Sequence, residues 1–240
     1  MTHPLVRKLS HFSALSIAEI DAVNAASGTV RTLDPGEDLM AEGQETQGAK
    51  LLLAGIACRY KTLEDGRRQI VSFVLPGDTT ELRVLTLRRA DHSVSALSPC
   101  RIATLSREQV ANLSDGEGAL SQGLNWAALV DESITREWVV NVGRRTAIER
   151  MAHVFCELFY RLRAVGLTTG DACHIHVTQV TLGETLALSA VHVNRTLQEL
   201  RRQELATLVA GKLAIYDLVR LQQVGMFNPD YLHLENATGA

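Results

Sequence analysis

No stretch of the 240-residue chain is apolar for long enough to span a bilayer, and with 46% apolar and 21% charged residues the composition is that of an ordinary water-soluble chain. Cysteine is scarce: Cys58, Cys100, Cys156 and Cys173 stand far apart and form no C-x-x-C pair. That spacing excludes a disulfide framework or a closed zinc site and marks the thiols as small buried hydrophobes in a reducing compartment. Positive charge is not in excess either, 24 Lys and Arg against 27 Asp and Glu, net -3, so no global basic field advertises nucleic acid and any such footprint must be local. The N-terminal segment MTHPLVRKLSHFSALS lacks the apolar core and small-residue cleavage site of a secretory signal, so a cytoplasmic protein is expected. No internal repeat or low-complexity segment is present.

What is present falls into three textures. Residues 16–26, SIAEIDAVNAA, predict a short helix: Ser16 as N-cap, Glu19 closing a capping box, and Ile17, Ile20 and Val23 on one face. From Thr29 to about Val110 the chain breaks into short β-rich pieces such as KLLLAGIACRY and RQIVSFVL, punctuated by turns such as DPGE, EDG and LPGD. Pieces recurring about every ten residues predict an all-β sandwich or roll. From Glu117 to Val142 turn residues thin out, and Leu120, Leu124, Ala127, Asp131, Ile134, Trp138 and Asn141 recur at three- and four-residue spacing. This long amphipathic helix exceeds what one roll face needs and carries polar residues near its stripe. Leu120, Leu124, Ala127, Asp131, Ile134 and Trp138 are therefore expected to form a dimer seam, packing on the chain's own roll being the alternative. Gly143 is expected to interrupt the helix as a hinge, and Thr146 with Glu149 to cap a new one that buries Met151, Val154, Phe155, Leu158, Phe159 and Leu162 and ends at Gly166. A short docked tail is expected from Asn228. The resulting division is a β-roll over 1–116, a dimerisation helix and hinge over 117–143, and a C-terminal domain over 144–240.

Residues 178–202, TQVTLGETLALSAVHVNRTLQELRR, predict two short helices at a tight turn: Thr178 caps 179–186, Ala187 and Leu188 turn the chain, and Ser189 caps 190–202. Leu182, Leu186, Val193, Leu197 and Leu200 lock the pair. The outer face of the second helix presents Ala190, Val191, His192, Asn194, Arg195 and Gln198, side chains able to meet base edges or phosphates in a major groove. Downstream, ELATLVAGKLAIYDLVRL predicts a strand, a Gly211 turn followed by Lys212, a second strand and a closing helix, the pattern of a β-wing. Arg195, Arg201, Arg202 and Lys212 give this balanced domain a local positive face.

With GRRTAIERMAHVFCELFYRL (143–162), LSAVHVNRTLQELRR (188–202) and LPGD (75–78), the sequence resembles the Crp–Fnr family of bacterial transcription regulators over nearly its whole length. The resemblance implies an α+β fold: an N-terminal β-roll of cyclic-nucleotide-binding type, a long dimerisation helix and a C-terminal winged helix-turn-helix. It implies a homodimer that binds a palindromic operator in double-stranded DNA through the recognition helix 189–202 and acts on RNA polymerase, with no membrane association. Arg195 matches the recognition-helix arginine that contacts guanine in this family, and Asn194 falls at the adjacent base-reading position. Ser189 and Thr178 fit phosphate-clamping positions, and Gln179, Ala190, Val191, His192 and Lys212 complete the expected interface. Val191 stands where many members carry a glutamate, and Ala190 replaces an arginine of the cAMP-responsive branch. The half-site is therefore expected to differ from theirs.

The ligand side departs further. Glu81 and Leu82 are displaced from the family's Gly-Glu-Leu pattern, and Ala90-Asp91 stands where an Arg-Ser pair holds the cyclic phosphate, so cAMP is not expected. Arg88 and Arg89 are read as a solvated loop, binding of another anion being the alternative, and Thr135 falls near the dimer-helix position used for cyclic nucleotide in relatives. No cysteine precedes Cys58, which excludes the N-terminal iron–sulfur sensor. His174-x-His176 offers two ligands on one strand face, and two do not make a metal site. No cofactor or metal is expected, and an effector of the roll is left open. A cupin-type metal enzyme is the alternative from another class; it needs two histidines and an acid in the barrel, where the roll has only His92, and no G-x-S-x-G nucleophile motif is present. A roll acting only as an interaction module would leave Arg195 and its neighbours without a purpose.

Overall fold

The computed structural model describes residues 3–81 and 83–234. Leu82 and the last six residues of the expected tail lie outside the described residues. Contacts divide the chain into two compact units, one containing residues up to Lys61 and Phe73–Glu132, the other Thr62–Ser72 and Ser133–Leu232.

In the first unit α1 (Pro4–Leu9) and α2 (Ile17–Ala26) precede the roll. Ser16 caps α2 as its sequence predicts: its Oγ accepts from the Glu19 amide at 3.3 Å and the Glu19 carboxylate accepts from the Ser16 amide at 2.8 Å. The strands are β1 (Val30–Leu33), β2 (Asp38–Met40), β3 (Gly48–Ala54), β4 (Ala57–Thr62), β5 (Arg68–Val74), β6 (Ser93–Ala96) and β7 (Cys100–Ser106). They form two sheets, β1-β7-β3 and β2-β6-β4-β5. Period-two alternation sends Leu33, Leu52 and Ile102 of the first sheet into a core shared with Val74 and Val94 of the second. The other face of the first sheet, carrying Ala49, Leu51, Ala103 and Leu105, is covered by Leu5 and Leu9 of α1, Val23 of α2, and residues from α3 (Arg107–Ser114) and α4 (Ala119–Arg144).

The apolar stripe of α4 expected as the dimer seam is buried within the single chain. Leu120, Leu124 and Ala127 belong to that second core of their own roll. Asp131 holds Arg59 of β4 at 3.0 Å, and Ile134 and Trp138 are 3% and 4% exposed within the single chain. Asn141, also buried, donates from Nδ2 to the Arg150 carbonyl at 3.4 Å. The most apolar stripe of the helix is the inward one, because a helix lying along its own domain must bury that stripe first. Its exposed face carries Gln122, Asn125, Leu129, Glu132, Arg136, Val139 and Gly143, at alternating intervals of three and four residues.

Gly143 does not break α4 either. A single glycine costs a helix about 1 kcal/mol relative to alanine, too little to end a long one. The break comes after Arg144. There the half-turn is held by the buried Arg145 guanidinium, which donates from Nη2 to Glu137 at 2.6 Å and to the Met226 carbonyl at 3.2 Å, and by Glu149 accepting from the Thr146 amide at 2.7 Å.

In the second unit α5 (Ala147–Ala164) supplies the core, with Met151, Val154, Phe155, Leu158, Phe159 and Leu162 all buried. Around it stand β8 (Thr168–Thr169), β9 (Ala172–His174), α6 (Gln179–Leu186), α7 (Ala190–Arg202), β10 (Ala206–Val209), β11 (Lys212–Ile215) and α8 (Leu218–Gly225), the strands in order β10-β11-β9-β8. The end of α8 lies so close to α5 that a Cβ on Gly225 would sit 2.6 Å from the His153 amide nitrogen, so this contact demands glycine.

A buried polar network ties α4 to α5. Glu157 accepts from Trp138 Nε1 at 2.9 Å, Tyr231 Oη at 3.0 Å and Arg161 Nη1 at 2.9 Å. Burial pushes its carboxyl above the ordinary range, opposed by Arg161 and the other donors. His153, within 3.2 Å of the Tyr231 hydroxyl, is held down to about 3 by burial and then by the Arg145 charge, so its ring is neutral near pH 7. No helix among the described residues is long and apolar enough to cross a membrane.

Candidate nucleic-acid interface

The α6–turn–α7 pair is built by local chemistry the sequence announces. Thr178 Oγ1 accepts from the Thr181 amide at 3.1 Å and Ser189 Oγ from the His192 amide at 3.3 Å, capping the two helices. Between them Ala187 adopts the left-handed conformation at φ 54°, and the Leu188 amide returns to the Gly183 carbonyl at 3.0 Å. A Cβ on Gly183 would stand 2.8 Å from the Leu188 carbonyl oxygen, so only glycine lets the turn close onto α6. Arg150 caps the far end by donating from Nη1 to the Leu186 carbonyl at 2.9 Å. Leu182, Leu186, Val193 and Leu200 are fully buried and Leu197 half-buried, so the expected lock between the helices is in place.

That inward face fixes the outward one. Thr178, Gln179, Ser189, Ala190, Val191, His192, Asn194, Arg195 and Gln198 are all exposed, Val191 to 63%. The N-terminal turn of α7 thus presents one amide, one guanidinium and one imidazole on the same side. The hydroxyls of Thr178 and Ser189 cap their own helices; that of Ser189 keeps a hydrogen to donate outward, while that of Thr178 also pairs with Thr181 Oγ1 at 2.9 Å.

The wing follows. β10 and β11 pair from Ala206↔Ile215 to Val209↔Lys212, and Ala210 (φ 48°) and Gly211 (φ 77°) form a two-residue turn with both central residues left-handed, the turn that matches strand twist. Lys212 emerges exposed from it. Sequence reasoning missed what β9 adds. Its register sets His174 opposite Lys212, and the His176 amide donates to the Gly211 carbonyl at 3.3 Å. The two exposed imidazoles stack with centroids 5.7 Å apart. Among the described residues no third metal-ligating side chain is grouped with them. The positive face is also less even than expected: Arg202 is held by Glu199 through two contacts of 2.9 and 2.6 Å, which holds that carboxyl down to about 2.

A β-roll joined by a long helix to a winged helix-turn-helix, with a polar and cationic recognition face turned to solvent, defines a DNA-binding regulator. Comparison with known proteins agrees. Residues 30–116 match the cyclic nucleotide-binding domain and residues 149–224 the Crp-like helix-turn-helix domain. The chain is 26% identical over 218 residues to the nitrogen fixation regulation protein FixK of Bradyrhizobium diazoefficiens, covering 90% of each. It is 27% identical over 217 residues to the transcriptional activatory protein AadR of Rhodopseudomonas palustris, covering 90% of this chain and 89% of that one. The fold is that of FixK2 from Bradyrhizobium japonicum, with a TM-score of 0.72 at 22% identity over 82% of this chain and 96% of that structure. The chain belongs to the Crp–Fnr family of transcription regulators. It is a DNA-binding regulator and not an enzyme, and the cupin alternative falls.

Proposed function

We propose that the chain works as a homodimer in the cytoplasm, reading a twofold-symmetric operator with α7 and there recruiting or obstructing RNA polymerase. The observation that carries this reading is the division of α7: residues able to read bases face solvent while Val193, Thr196 and Leu200 are buried behind them. Arg195 reads guanine through its two parallel N–H donors, Asn194 an adjacent adenine, and Val191 a thymine methyl. Thr178, Gln179, Ser189 and the wing residues Lys212, His174 and His176 hold phosphates.

Dimerisation uses the exposed face of α4. A three-four alternation is the spacing of a two-stranded coiled coil, and Leu129 and Val139, 62% and 66% exposed in one chain, are its apolar knobs. Glu132 and Arg136 lie on the same stripe and bias its register.

The roll is a sensor that does not take cAMP. Ala90 is buried in the roll core, and the neighbouring Asp91 side chain, 79% exposed, would repel a cyclic phosphate. Selection of randomised duplexes by the purified protein tests the whole reading. The expected motif is a palindrome with half-sites about one helical turn apart; enrichment of an asymmetric motif, or none in the presence or absence of cell metabolites, refutes it.

A further inference from the structure

A second set of side chains with ligand chemistry lies in the roll. Glu81 is buried and enters on a stretch tied to β3, where Thr79 bridges Leu51 and the Thr80 amide donates to the Lys50 carbonyl at 2.8 Å. Asp91 and His92 lead into β6, whose first residue, Ser93, accepts from the Glu42 amide at 2.9 Å. These two anchored segments converge. One oxygen of Glu81, one of Asp91 and one ring nitrogen of His92 lie within 4.8 Å of one another. An ion with bonds of about 2.1 Å holds its ligands about 3.4–4.2 Å apart, so small side-chain rotations close this set around one.

The His92 ring supplies a second, independent observation. Its Nδ1 lies 2.7 Å from Asp91 Oδ1 and its side chain is only 13% exposed, while Nε2 is buried with no hydrogen-bond partner among the described residues. Buried ring nitrogens ordinarily have one. One imidazole and two carboxylates are the donors of borderline first-row ions; calcium and magnesium prefer all-oxygen sets, and soft ions prefer thiolates.

We propose that Glu81, Asp91 and His92 bind one first-row divalent transition-metal ion per chain. The assignment concerns the sensor roll and does not depend on the reading of the DNA-binding face. It is tested by equilibrium dialysis of the chelator-stripped full-length protein against Zn²⁺ and, separately, Mn²⁺, with bound metal counted by elemental analysis. One ion per chain is expected for the wild type. Asp91→Asn, whose exposed side chain leaves the fold intact, and His92→Gln should each weaken binding about tenfold or more. The double variant His174→Gln, His176→Gln should bind as the wild type does. Metal should also raise the melting temperature of the wild type and not of Asp91→Asn. No binding at micromolar metal, unchanged binding by Asp91→Asn and His92→Gln, or loss of binding in the His174 and His176 double variant overturns the proposal.

Discussion

Substituting Leu129 by alanine separates the two faces of α4. Full burial of a leucine is worth about 1.5–3 kcal/mol, and Leu129 is 62% exposed in the single chain, so sealing it in a seam recovers about 1–2 kcal/mol per chain. A twofold dimer counts the residue twice. The dimer dissociation constant of Leu129→Ala should therefore rise by about 2–4 kcal/mol, roughly 30- to 700-fold. Alanine is the better helix former, and the removed side chain lies outside the core of the chain, so the monomer should keep its melting behaviour. Sedimentation equilibrium over a range of concentrations reads the constant directly. Operator binding should fall in parallel at protein concentrations below the new constant and recover above it. A dimer constant within about threefold of wild type, a difference under 1 kcal/mol, would refute the assignment of the outward stripe. If Trp138→Phe weakened the dimer while Leu129→Ala did not, the inward stripe would be the seam after all.

Trp138→Phe should instead act within the chain: it removes one of three donors to buried Glu157 and should cost about 1.5–3 kcal/mol in urea unfolding, leaving the dimer constant unchanged. Arg195→Ala should lower operator affinity by about 1–3 kcal/mol per half-site and relax preference at one base pair in repeat selection, whereas equal loss on all sequences would make it a phosphate contact. His153, held down to about 3 against an unfolded value of 6.5, stays neutral in the folded state while the unfolded chain takes up a proton. Its contribution is complete above pH 6.5 and is lost as pH falls toward 3. The wild-type stability difference from His153→Gln should accordingly shrink by a few kcal/mol between pH 7 and pH 4, and a difference independent of pH would mean that the ring takes up its proton in the fold as readily as in the unfolded chain.

Much of this molecule was legible because its signals are local. Capping hydroxyls at Ser16, Thr178 and Ser189, the left-handed turn at Ala187 and the Gly211 hairpin each depend on a few neighbouring residues, and the structure places all of them where the sequence does. The same locality made the reading face of α7 readable, since burying Val193, Thr196 and Leu200 leaves Asn194 and Arg195 no direction but outward. What the sequence hid depends on pairing across distance. The histidines of β9 join the wing only through the register that sets His174 against Lys212, and Glu81 meets Asp91 and His92 only once two loops of the roll are anchored on different strands.

The expected seam of α4 raises a different question. Periodicity reports that a helix face is apolar, and it is silent on what covers that face. Here the roll and α5 provide intramolecular cover for the inner stripe, down to a hydrogen bond for the Trp138 indole and an ion pair for Asp131. Of the polar residues that resembled register-setting devices, Asp131 pairs with Arg59 and Asn141 donates to the Arg150 carbonyl inside one chain, while Asn141 Oδ1 is buried with no hydrogen-bond partner among the described residues. A seam between copies must differ in kind: the monomer exposes it to water before association, so it can carry only a few large apolar residues between polar ones. The outer stripe, with Leu129 and Val139 set among Gln122, Asn125, Glu132 and Arg136, has that composition. In a two-domain chain threaded by one long helix, the weaker of two amphipathic stripes is thus the better candidate for self-association, because the stronger one is consumed in folding.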